Sequence, residues 1–169
     1  MRKIIALLLA LPFVLSLASC RGTEVVTDVP DDFGIYMEWG CGGDSTYDSQ
    51  TGKLVKQNIA TDVDAYTTTF FLSDAQKTEL YRLITEMQPE TYPDKYNPIK
   101  GMSAPSRTIV LSVTYNGTTK TIACGNVSLG NEPDGRQGKR FMAVHDALVG
   151  FVTQSEEWRA LPEYEFLYD

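Results

Sequence analysis

Three cysteines and a single histidine are the residues best placed to do covalent or acid–base chemistry in this chain of 169 residues. A thiolate is a nucleophile and a soft metal ligand, and an imidazole is the usual general base. Any Ser or Cys nucleophile would therefore depend on His145. That residue falls inside a run of helical spacing, beside its apolar stripe, and no G-x-S-x-G elbow occurs. A hydrogen-bonded structural histidine is the plainer reading. One histidine without a free cysteine pair is also a poor zinc set, so no catalytic residue, metal ligand or cofactor is assigned. Carboxylates are plentiful, with local pairs at Asp44/Asp48, Asp62/Asp64 and Glu132/Asp134. None matches a D-x-[DN]-x-[DN]-G calcium loop. Asp62-Val63-Asp64 could still contribute to calcium binding, against a default of solvated surface charge. The glycine-rich stretch Gly125–Gly138 lacks both phosphate-loop patterns and reads as a loop.

The N-terminus gives a clearer signal. Arg2 and Lys3 precede an apolar run, Ile4 to Leu17, broken only by Pro12 and Ser16. Fourteen positions are too few to span a bilayer, which needs about 20 helical residues. Residues 1–19 therefore read as a secretory signal, with the small Ala18 and Ser19 before the cut. Leu17-Ala18-Ser19-Cys20 resembles the lipobox of bacterial lipoproteins. That resemblance implies diacylglycerol on the Cys20 sulfur, cleavage before Cys20, and often palmitate or another acyl chain on the new amino group. Two or three chains meet the requirement for stable anchoring. The expected location is the cell membrane, lipid-anchored, on its extracytoplasmic side.

Removal of nineteen residues leaves 150 and takes two cations and no acid, so the formal charge falls from −7 to −9. Phosphate backbones repel such a surface, and no basic stripe with interleaved aromatics exists, so nucleic acid is excluded as a partner. Residues 20–30 are polar without periodicity and form a tether. Residues 31–169 then make a single domain. With Cys20 lipidated, Cys41 and Cys124 remain in an oxidising compartment, where an even count suggests a disulfide. Each stands beside glycine at the end of a strand-like run. Closing a loop of about 80 residues would contribute roughly 4 kcal/mol. Two unpaired thiols in unrelated loops are the alternative, and no redox-active CxxC is present.

These candidates need elements to place them. Phe33–Trp39 is strand-like, Cys41–Gly52 reads entirely as turn, and Leu54–Ala60 and Tyr66–Leu72 are the next β-prone runs. Ser73 is a helix N-cap with Gln76 at the capping-box position, and Leu80, Leu83, Ile84 and Met87 share one helical face until Pro89. Pro89–Pro105, with four prolines, is an ordered loop that either forms a binding rim through Tyr92 and Tyr96 or covers a sheet edge. Alternating runs on either side of Asn116-Gly117 predict a type I′ hairpin over Thr108–Cys124. Lys139–Thr153 is a second amphipathic helix. Ser155 caps a short helical turn carrying Trp158, and Tyr164–Tyr168 suits an extended segment. The order is β-β-β-α-β-β-α, an α+β fold with an antiparallel sheet of about five strands and two amphipathic helices on one face.

The mature segment also resembles a loose group of small bacterial lipoproteins of unknown function. Phe33-Gly34-Ile35-Tyr36, Leu72-Ser73, Tyr92-Pro93, Trp158 and Leu161-Pro162-Glu163-Tyr164 carry the likeness. The group lends no catalytic residues, and Cys41 and Cys124 are not part of its pattern. The functional expectation is a non-enzymatic binding module of the cell envelope, joined to the membrane through Cys20 and meeting an envelope protein or surface partner. The nine tyrosines and two tryptophans suit an interface. The alternatives are a small envelope hydrolase using carboxylates and a small-ligand or calcium-binding lipoprotein.

Overall fold

A computed structural model describes residues 28–163 apart from 43, 58–61 and 129. Strands β1 (Gly34–Cys41), β2 (Ser45–Asp48), β3 (Lys53–Val55) and β4 (Thr67–Thr69) precede helix α1 (Asp74–Met87). Strands β5 (Arg107–Tyr115) and β6 (Thr118–Cys124) follow, then helices α2 (Gly135–Thr153) and α3 (Glu156–Ala160). The six strands form one antiparallel sheet in the order β4-β3-β2-β1-β5-β6. This is the expected α+β class, with one strand more than the sequence suggests.

Period-two alternation decides which side of the sheet is buried. Ile35, Met37 and Trp39 on β1 lie opposite Val113, Leu111 and Ile109 on β5, and Leu111 in turn opposes Ile122 on β6. All seven are buried, together with Tyr47 and Leu54 from β2 and β3. Against this layer α1 packs Leu80, Ile84 and Met87, and α2 packs Phe141, Val144, Leu148 and Val152. Each helix supplies the apolar stripe its spacing predicts.

Local chemistry sets the ends of the elements. The Ser73 hydroxyl accepts the Gln76 N–H, and the Gln76 side chain accepts the Ser73 N–H, a complete capping box. Gln88 closes α1 in the left-handed region at φ 58°. Asn116 and Gly117 take φ of 50° and 71°, the positive pair that a type I′ hairpin requires. Ser155 caps α3 by accepting the Trp158 N–H.

Four expectations are corrected. The stretch Cys41–Gly52 is not all turn, because Ser45–Asp48 forms β2 between β1 and β3. Tyr47, fully buried and hydrogen-bonded to the Phe70 carbonyl, holds this strand despite its turn-forming neighbours. Helix α2 begins at Gly135, a turn before Lys139. Gly138 is needed inside it, since a Cβ there would lie 2.5 Å from the Pro98 carbonyl oxygen. The expected strand over Leu54–Ala60 is confined to Lys53–Val55 among the described residues. The Tyr66–Leu72 run contributes only Thr67–Thr69. The extended segment expected at Tyr164–Tyr168 lies outside the described residues.

Candidate functional site

The lipidation residue Cys20 and most of the 20–30 tether lie outside the described residues. Where the described chain begins, Phe33 donates to the Pro30 carbonyl and turns into β1. The Asp32 carboxylate accepts the N–H groups of Asn116 and Gly117, at 2.9 and 2.6 Å. These bonds, Gly117 foremost, hold the Asp32 carboxyl below its ordinary range. The entry of the domain is therefore pinned to the β5–β6 hairpin turn.

The two remaining cysteines are free thiols. Cys41 pairs with Arg107 on β5, whereas Cys124 pairs with Ile109 from the other side of that strand. With β5 between them, their strands are about 10 Å apart, beyond the roughly 7 Å Cα limit for a bridge. Both thiols stand at strand ends, and the insertion of β5 between those strands separates them. Cys124 is buried, which pushes its thiol up to about 12.

Of the two readings of Pro89–Pro105, covering a sheet edge is what the backbone does. Tyr96 donates to the Ala123 carbonyl and Ala123 donates to the Asp94 carbonyl, so residues 94–96 clasp the outer edge of β6. An ion pair from Lys120 to Asp94 adds to this clasp. Tyr92 is buried rather than a rim residue; its ring meets Tyr96 edge-on and its hydroxyl donates to the Gln137 carbonyl.

The carboxylate pairs stay local. Asp62 Oδ1 accepts the N–H groups of Asp64 and Ala65, making Asp62 part of a turn. Asp134 pairs with Lys100. Asp48 accepts from Gln50 and Thr51 in the β2–β3 turn. Asp44 is half-buried, and that burial raises its pKa. Among the described residues no three His, Cys, Asp or Glu side chains gather in a group that could hold a metal ion. Their two pairs of hydroxyl groups are better organised than their acids.

Both of those pairs belong to the side of the sheet away from the helices. There Ser112 faces Thr121 with 2.6 Å between hydroxyls, and Thr114 faces Thr119 at 2.8 Å. Tyr36 continues the row from Ser112 onto β1, and Asp48 continues it onto β2. The Tyr36 hydroxyl donates to Glu38 Oε1 at 2.7 Å. Partial burial and the Glu38 carboxylate together push that phenol up to about 12, so it stays a neutral donor. A groove of about 220 Å³ is lined by Gly34, Tyr36, Asp48, Gln50, Ser112 and Thr114. The Gln50 side chain lies against Gly34, where an added Cβ would meet it at 2.6 Å and push it aside.

This surface offers hydroxyl donors and acceptors, an aromatic edge and two carboxylates, but no nucleophile held by a base. The same alternation that places Ile35, Met37 and Trp39 inward places Tyr36 and Glu38 outward, a signal present in the sequence. Lys56 had no such signal. It is buried at the end of β3, with Nζ 5.4 Å from the Trp158 ring and 3.8 Å from a Glu163 oxygen. Trp158 in turn stacks on Trp39 at 6.0 Å between ring centroids. No known family model matches the chain, and no curated protein is similar to it.

Proposed function

We propose that the protein is a lipid-anchored, extracytoplasmic binding module that meets a partner in the cell envelope through the open face of its sheet. The anchor is Cys20, within the lipobox-like Leu17-Ala18-Ser19-Cys20, and the partner is an envelope protein or surface component. One observation carries the reading: helices cover one side of the sheet, while the other side is a largely polar surface, interrupted by Val110 and Ala123, built around Tyr36, Glu38, Ser112, Thr114, Thr119 and Thr121. Antiparallel sheets tolerate a solvated face, so exposure alone is ordinary. Paired hydroxyls flanking a neutral tyrosine beside two carboxylates give that face directional hydrogen bonding, the kind of polar contact from which specific interfaces are assembled. A carboxylate hydrolase is less well supported, because the Asp48 and Asp62 carboxylates are taken up by turn N–H groups and that of Asp134 by Lys100.

Two measurements on the protein from its native cells test this. Mass spectrometry should find a thioether-linked diacylglycerol on an N-terminal Cys20; an intact Met1 overturns the anchor. Photo-crosslinking from Thr121 or Ser112 should capture a recurring envelope partner, whereas the same probe at Glu86 on α1 should not. Equal capture from both positions, or none, overturns the docking face.

A further inference from the structure

The helix-covered side of the sheet holds a second feature, independent of the open face. A cavity of about 160 Å³ lies between α2 and the ends of β1 and β5, lined by Trp39, Gly40, Arg107, Val127, His145 and Val149. Its walls are mostly apolar, and two cationic or ionisable side chains interrupt them. His145 keeps only 10% of its side-chain surface exposed, and its Nδ1 lies 2.8 Å from the exposed Asp146 carboxylate. The ring lines the cavity, and its other nitrogen, Nε2, has no hydrogen-bond partner among the described residues. A buried polar atom without a partner is costly and rare in native structures, and it marks a place where something else binds.

Arg107, the first residue of β5, is exposed and reaches the cavity at its mouth, and no acid lies within ion-pair distance of it among the described residues. A cavity of roughly 150 Å³ is large enough to hold one benzene ring.

We propose that this cavity binds a small monocarboxylate with an aromatic or branched apolar body, its carboxyl held between Arg107 and His145. The carboxyl meets the Arg107 guanidinium, whose planar fork matches it. It also bonds Nε2, with one proton taken up from solvent on binding when the ring is neutral, since Nδ1–H is already given to the Asp146 carboxylate. The apolar body packs on Trp39, Val127 and Val149. The Asp146 contact holds the ring in one orientation, as carboxylate partners do for functional histidines.

His145 is the only histidine of the chain, so its ring signals are identified at once in a spectrum of the full-length protein in detergent. Sodium benzoate is the probe, and benzyl alcohol, of nearly the same shape without the charge, is its control. Benzoate should shift the His145 ring nitrogens saturably with a dissociation constant of about 1 mM or lower. Benzyl alcohol should bind at least about tenfold more weakly, and Arg107→Met should weaken benzoate by a similar factor. Val149→Phe should abolish the shift by filling the cavity. A shift that does not saturate, equal affinity for the alcohol, or full affinity in the exposed-site variant Arg107→Met overturns the proposal. Because the cavity and the open face lie on opposite sides of the sheet, either can fail while the other stands.

Discussion

Asp32 accepts the Gly117 backbone N–H at 2.6 Å, joining the entry of the domain to a hairpin turn 85 residues later in the chain. The bond depends on the carboxylate being ionised. Its folded pKa is depressed, so its contribution is present above the unfolded value of about 4 and is lost as pH falls through the folded one. Asp32→Asn should therefore lower the melting temperature at pH 7, and the gap to wild type should close in acid. A gap that is constant from pH 7 to pH 2 would show that the bond contributes nothing ionic.

Gly138 tests the packing of α2 on the proline-rich loop. Alanine has the higher helix propensity by about 1 kcal/mol, yet its Cβ would lie 2.5 Å from the Pro98 oxygen and 3.2 Å from the Pro133 carbonyl carbon. Backbone atoms yield less easily than side chains, so the clash should win. Gly138→Ala is expected to destabilise the domain by about 1–3 kcal/mol in urea unfolding. A stabilised variant would mean that the loop gives way.

Ser73 and Gln76 satisfy one another's backbone donors at the start of α1. Ser73→Ala should cost about 1 kcal/mol and Gln76→Ala less. Because the two form one unit, the double variant should fall short of the sum of the singles. Additive losses in a thermodynamic cycle would show that the box does not couple.

The thiols make a chemical prediction. Cys124 is buried with its pKa raised to about 12 by burial, while Cys41 is partly exposed. Native iodoacetamide treatment followed by peptide mass spectrometry should label Cys41 and spare Cys124, and urea should expose both. A peptide pair linked through these two residues and lighter by two hydrogens would restore the disulfide.

Much of the fold was legible because its strongest signals are local. The Asn116-Gly117 turn, the Ser73 box and the apolar stripes of α1 and α2 each depend on residues a few positions apart. What escaped depends on tertiary contact. Nothing near Tyr47 overcomes the turn signals of Asp44, Ser45 and Ser49; only pairing with β1 and burial against Phe70 do so. Gly135 and Gly138 read as loop until Pro98 explains the second of them. The separation of Cys41 from Cys124 has the same origin, since strand order is not written in alternation. For the sites, the outward side of β1 could be read from the sequence, but the isolation of His145 Nε2 could not, because it depends on which atoms fail to arrive.

Neither margin of the sheet offers a long uninterrupted backbone edge. Residues 94–96 bond the outer side of β6 at Ala123, and the opposite margin, β4, is only three threonines long. A neighbouring copy thus finds little ladder to extend, and strand-by-strand growth into a filament is blunted at each end. For copies crowded together, that is the difference between a population of separate units and a fused β-ribbon.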